Sequence, residues 1–193
     1  MNKTIENKSK TPMVLVLIIL LLTAVAAPLN LNKVSPIAPE LMQYFKIGET
    51  QLGMLISVFS LTGIILALPG GLLIHKFGPW KCILVSLLSL LIGSIIGTYS
   101  DSFALLLISR IIEGMGMALI AVAGPSIIST TVNPGRRGIA MGLICMGQNI
   151  GFVVGPTLFG AIVQEYSWNA AFFFTVPVAV TGGLFMLLNK KVR

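Results

Sequence analysis

Charge is scarce in this chain: 10% of its 193 residues are charged, and Asp and Glu together number six. Reactive side chains are equally sparse, with one histidine and two cysteines. These shortages exclude whole classes of function. His75 has no cysteine or carboxylate cluster beside it in sequence, so the spacing of a metal site is missing, and it reads as a solvated loop residue. No nucleophile and base are paired, and no glycine-rich phosphate loop is legible, so neither an enzyme nor a cofactor is implied. Cys82 and Cys145 both fall inside apolar runs, where a small buried thiol is expected rather than a disulfide. Connecting segments long enough to form a soluble domain are also lacking.

What the chain has is apolar surface. Hydrophobic residues make up 55% of it, and the mean hydropathy is +0.96. A soluble fold of this size could not hide so much apolar surface from water, and a bilayer can. The first apolar run follows a short basic segment, as in a signal peptide, but it exceeds the usual length and five more runs follow, so it reads as a retained span. The expected fold is therefore an all-α membrane protein with six transmembrane helices, near Pro12–Pro39, Thr50–Ile74, Lys81–Tyr99, Ser102–Thr131, Gly138–Gln164 and Trp168–Leu188. Residues 1–11 form a tail, residues 12–189 the bundle, and residues 190–193 begin a second polar segment.

Six spans put both termini on one side. Lys3, Lys8, Lys10, Lys76, Lys81, Arg136, Arg137, Lys190, Lys191 and Arg193 then share a face, which the positive-inside rule makes cytoplasmic. The net charge of +7 is thus topological and implies no nucleic acid. Thr50, Pro79 and the Ser100–Ser102 segment supply helix starts, and Asn133-Pro134 interrupts the chain before span five.

Within span four, Arg110 and Glu113 stand three residues apart on one helical face. At a rise of 1.5 Å per residue they lie roughly 12 and 16 Å from Ser102, near the middle of a hydrocarbon core about 30 Å thick. Charges at that depth are costly unless paired or hydrated and default to function; the plainer reading is that the two neutralise each other. In span one, Asn30 and Lys33 share a face, where they could bind an anionic group, or Lys33 could snorkel outward. Span five carries small residues at Gly147, Gly151 and Gly155, followed by Pro156 and Gly160, a face that packs closely and a proline that can bend the helix.

Between spans two and three the chain reads Gly71-Leu72-Leu73-Ile74-His75-Lys76-Phe77-Gly78-Pro79-Trp80-Lys81, a tight basic turn. Gly71, Leu73, Lys76, Gly78 and Lys81 resemble the loop signature of the major facilitator superfamily, with His75 in place of the family's aspartate. The Arg110 to Gly116 segment resembles that family's fourth-helix motif, with Glu113 in place of the usual amide. The Gly151 to Pro156 segment resembles the fifth-helix motif of its antiporters, although Phe159 and Gly160 replace the two closing glycines. Asn30 and Pro39 match positions of the drug-proton antiporter pattern, with Asn30 where an acid would stand. Arg136 to Gly142, Trp168, Phe172 and Pro177 extend the resemblance to nearly the whole chain.

The resemblance implies one half of the facilitator fold, built as a 3+3 inverted repeat. It implies a plasma-membrane antiporter or exporter of a small molecule, driven by protons, with Asn30, Lys33, Arg110 and Glu113 on the pathway and the Gly71–Lys81 loop as a gate. A full transporter needs two such halves. The expectation is a truncated or split transporter whose partner is a second six-helix half or a second copy. A nontransporting half-bundle and an importer of a small organic anion are the competing readings. Alkaline phosphatase fused after Gly78 should be silent in cells, whereas fusions after Gly48 and Asp101 should be active; the reverse pattern would overturn the orientation.

Overall fold

Residues 13–177 and Val180 are described in the computed structural model. The N-terminal tail, the far part of the sixth predicted span and the terminal basic residues lie outside them. Among the described residues seven α-helices follow one another: α1 (Met13–Asn32), α2 (Ala38–Phe45), α3 (Glu49–Phe77), α4 (Pro79–Thr98), α5 (Phe103–Thr131), α6 (Arg137–Glu165) and α7 (Trp168–Phe173). A 3₁₀ turn at Pro134–Arg136 precedes α6. No strand occurs among the described residues. The segments Glu49–Phe77, Pro79–Thr98, Phe103–Thr131 and Pro134–Glu165 are long and apolar enough to cross a membrane, and Val16–Asn32 is a shorter apolar helix.

The boundaries follow local chemistry. Gly78, at φ 86°, is the one residue between α3 and α4, and only glycine enters that region without strain. Pro79 then occupies the first turn of α4, where its missing N–H costs nothing. Ser102 caps α5 by accepting from the Leu105 N–H at 3.3 Å. The start of α3 differs from expectation: Gly48, not Thr50, is the cap, and the Gln51 side chain accepts from its N–H at 3.1 Å.

Span one was predicted to run unbroken from Pro12 to Pro39, but α1 ends at Asn32 and a turn separates it from α2. Pro36 cannot donate to a continuing helix, and Pro39 sits in the first turn of α2 as a starter. The break leaves Lys33 in the turn, just past the last residue of α1.

Helix packing divides into two groups. α5 lies closest to α4 and α3, while α1 lies closest to α6, and contacts between the two groups are fewer. Small residues set each approach. A Cβ on Gly116 would stand 2.7 Å from the Ser86 carbonyl on α4, and one on Gly114 would stand 2.6 Å from the Phe59 carbonyl on α3. On the α1–α6 seam, a Cβ on Gly147 would meet Leu21 at 2.8 Å, one on Gly151 would meet the Val25 carbonyl at 2.9 Å, and one on Gly155 would meet Asn32 at 3.4 Å. The four-residue spacing of the α6 glycines is therefore a docking face for α1. In lipid, where no hydrophobic force drives helices together, such close van der Waals contact is what holds them.

Two large apolar cores accompany a small cluster of Ala26, Ala27, Leu90 and Ile120. One gathers Ile19, Leu20, Ile83, Leu87, Ile127 and Ile144 from α1, α4, α5 and α6. The other gathers Val34, Leu41, Leu55, Phe159, Trp168 and Phe172 near the opposite end. Gly116→Ala should destabilise the bundle by about 1–3 kcal/mol through overpacking. Gly71→Ala, whose new methyl meets nothing within 4 Å, should be neutral or gain up to about 1 kcal/mol from helix propensity. Unfolding in a graded denaturing detergent would rank the two.

Candidate functional site

The centre of chemical interest is a fully buried ionic cluster. Glu113 projects from α5 across Gly93 of α4, whose missing side chain makes the room: a Cβ there would collide with the Glu113 Cγ. One carboxylate oxygen, Oε1, accepts from Lys33 Nζ at 2.5 Å and from Ser94 Oγ at 2.7 Å. The other, Oε2, accepts from Arg110 Nη1 one turn earlier on the same helix. Arg110 Nη1 also donates to the backbone carbonyl of Asn30 at 3.0 Å.

Lys33 is surrounded by acceptors. Besides Glu113, its Nζ donates to Asn30 Oδ1 at 3.0 Å, to Ser94 Oγ at 3.2 Å and to Thr175 Oγ1 at 3.4 Å. Ser94 and Thr175 share a hydroxyl contact of 2.8 Å. Aromatic rings cover both cations, with Phe172 4.0 Å from Lys33 Nζ and Phe59 4.3 Å from the Arg110 guanidinium carbon. Lys33, Arg110 and Glu113 have no solvent exposure at all.

Two features of the cluster are unbalanced. Two cations face one carboxylate, so the ionised cluster carries one net positive charge. In addition, Arg110 Nε and Nη2 have no hydrogen-bond partner among the described residues. Burying a charge this way is expensive, and the geometry recovers the cost only where the ions and hydroxyls meet.

The four predicted pathway residues, Asn30, Lys33, Arg110 and Glu113, thus form one constellation. Lys33 does not snorkel outward; the break after α1 turns it inward. Neither of the plainer readings is complete, because Arg110 and Glu113 do neutralise each other while a second cation joins them. Ser94, Thr175, Phe59 and Phe172 are the members that sequence reasoning missed. A lone serine or threonine in an apolar run carries no signal of its own, since hydroxyl side chains bond back to their own helix as readily as across to another.

The other predicted sites lie apart. Gly71, His75, Lys76, Gly78 and Lys81 gather where α3 turns into α4, with His75, Lys76 and Lys81 exposed. His75 lies in the last helical turn of α3 rather than in a loop. Among the described residues the two ion pairs are those of Glu113, and neither lies at that turn. Gly147, Gly151 and Gly155 line the α1 seam, Gly160 faces Pro36 in the turn after α1, and Pro156 lies within an α6 that runs on to Glu165. A cavity of about 200 Å³ between α1, α5 and α6 is lined by Thr23, Ile120, Pro125, Met141, Cys145 and Gln148.

Long apolar helices with ionisable residues buried among them define a multi-pass α-helical membrane protein. Residues 19–193 match the model of the Major Facilitator Superfamily, and the chain belongs to that family of transporters. It is similar to the uncharacterized MFS-type transporter YcnB of Bacillus subtilis, at 31% identity over 93% of this chain and 38% of the relative. Azole resistance protein 1 of Saccharomyces cerevisiae is 31% identical over 89% of this chain and 27% of its own length. Multidrug resistance protein 2 of Bacillus subtilis is 26% identical over 93% and 44%. The chain spans less than half the length of these curated relatives.

Removing one partner of a buried ion pair costs about 3–5 kcal/mol. Glu113→Ala strands two cations and should lose stability on that scale, whereas Lys33→Met leaves the neutral Arg110–Glu113 pair and should cost clearly less. Thermal unfolding of both variants in one detergent checks the order.

Proposed function

We propose that this chain is one six-span half of a secondary active transporter that exports a small solute in exchange for protons. The observation that carries the reading is the Lys33–Glu113–Arg110 cluster, fully buried in an otherwise apolar bundle. Ionisable residues at such positions mark solute and proton pathways because a purely structural contact is met more cheaply by apolar side chains. A 3+3 inverted repeat with both termini in the cytoplasm and a plasma-membrane location complete the proposed architecture. The Gly71–Lys81 turn serves as its cytoplasmic gate.

Alternating access needs rigid elements that rock against each other around a fixed site. This chain would be one such element and its partner the other. The partner is a second six-helix half or a second copy, which would supply the facing wall. Export is supported by relatives whose names record azole and multidrug resistance and by the glycine order of α6. Uptake of a small organic anion is the second reading. It is favoured by the surplus positive charge and by Arg110 Nε and Nη2, two adjacent nitrogens without a partner among the described residues, which match the two oxygens of a carboxylate.

Proteoliposomes holding the purified chain, given an imposed pH gradient, should move at least one of three probes: an azole, a lipophilic cationic dye or a small monocarboxylate. Arg110→Ala should cut that flux at least tenfold. If no probe moves, and the variant vesicles behave like the unmodified ones, copies of the chain do not form the transporter, which leaves a separate second half or a nontransporting half-bundle.

A further inference from the structure

The proposal of proton coupling leaves open which atom holds the proton, and the geometry points to an answer unlike the acid expected at Asn30. Arg110 keeps its proton in proteins, so it does not switch. Glu113 accepts at both oxygens, from Lys33 and Ser94 on one and from Arg110 on the other. Protonating it would remove the only negative charge from between two buried cations. The ionised cluster has one surplus positive charge, and a single event cancels it: loss of a proton from Lys33.

We propose that Lys33 Nζ is the proton carrier of this chain, with Glu113 as its fixed counter-ion and with Ser94 and Thr175 as hydroxyls that reorient around it. This rests on reading the cluster as a coupling site. In the release step one Nζ–H bond breaks, its electron pair stays on the nitrogen, and the proton passes to water admitted from one side. The cluster is then neutral, with Arg110 and Glu113 paired. Reloading reverses the step from the other side.

The surroundings suit both forms. The ammonium has three protons and four acceptors within reach: Glu113 Oε1, Asn30 Oδ1, Ser94 Oγ and Thr175 Oγ1. The neutral amine donates two and needs one donor aimed at its lone pair. Ser94 and Thr175, 2.8 Å apart with either able to donate, provide it by hydroxyl rotation alone. No helix has to move for the lone pair to find its donor. Charged and titratable neighbours are Glu113 and Arg110 from α5. The remaining groups that face Nζ are Asn30 from α1, Ser94 from α4, and Phe172 and Thr175 from the last helical segment, and none of these titrates.

A reporter is built in. Phe172 lies over Nζ, and the Trp168 ring meets Phe172 edge-on with centroids 6.2 Å apart. A change of charge at Lys33 alters the field at Phe172 and, through it, at Trp168.

The test uses the full chain labelled with ¹³Cε-lysine in nanodiscs of phosphatidylethanolamine and phosphatidylglycerol. The Lys33 signal is identified by its loss in Lys33→Arg. Should that variant not assemble, it is identified by insensitivity to a water-soluble paramagnet, because Lys33 is the buried lysine among the described residues. The expected result is one ionisation step of Lys33 between pH 5 and 10. Trp168 emission in a Trp80→Phe background should follow with the same midpoint, and this step should be absent in Lys33→Arg. A Lys33 signal that does not move across the range overturns the proposal, and so does a Trp168 step that survives Lys33→Arg. Neither measurement needs a transported solute. A chain that shows the step but moves nothing across vesicles therefore retains the proton site and loses only transport by copies of itself.

Discussion

Glu113 is the one buried carboxylate among the described residues, and three other parts of the chain are arranged to meet it. Gly93 clears its path, the turn after α1 delivers Lys33, and the preceding turn of α5 delivers Arg110. An ionised carboxylate in a low-dielectric interior is tolerable only when its lone pairs are filled, so its neighbours have little freedom in where they stand. Asn30 illustrates the constraint: its side chain serves Lys33 while its backbone carbonyl serves Arg110, tying α1 to α5 at a single residue.

Away from the cluster the bundle is held by a different kind of contact. Glycines on α5 and α6 let backbones come within van der Waals reach, and long aliphatic side chains fill the levels above and below. Such packing is plentiful but not directional. Direction comes from the polar cluster, whose hydrogen bonds admit one arrangement of four chain segments. The aromatic group of Tyr44, Phe45, Trp168 and Phe172 closes the cluster on the α2 side.

The spans were legible because membrane helices are written in composition: long apolar runs punctuated by glycine, proline and basic residues. Arg110 and Glu113 were legible for the same reason, since charge in an apolar run stands out. Lys33 was only half legible. Its presence on a face with Asn30 was clear, but its inward direction depends on the break before Pro36, which apolarity alone concealed. Ser94 and Thr175 could not be found from sequence, because their role comes from distances across the bundle and not from spacing along the chain. The α6 glycines were read both as packing and as a pivot, and the close approaches to Leu21, Val25 and Asn32 account for the first of these.

Contact between the α1–α6 pair and the α3–α4–α5 group is sparser than contact within each, and it is made by apolar cores that cross the seam and by the Lys33–Glu113–Arg110 cluster. Apolar contacts within each group are numerous and interchangeable, so sequence drift there is absorbed locally. The stitch from Lys33 and Asn30 to Glu113 and Arg110 has no such redundancy. Evolution can therefore remodel the outer faces of this protein freely while the seam fixes which two blocks face each other, and the tension between them is set by the charge at a few atoms.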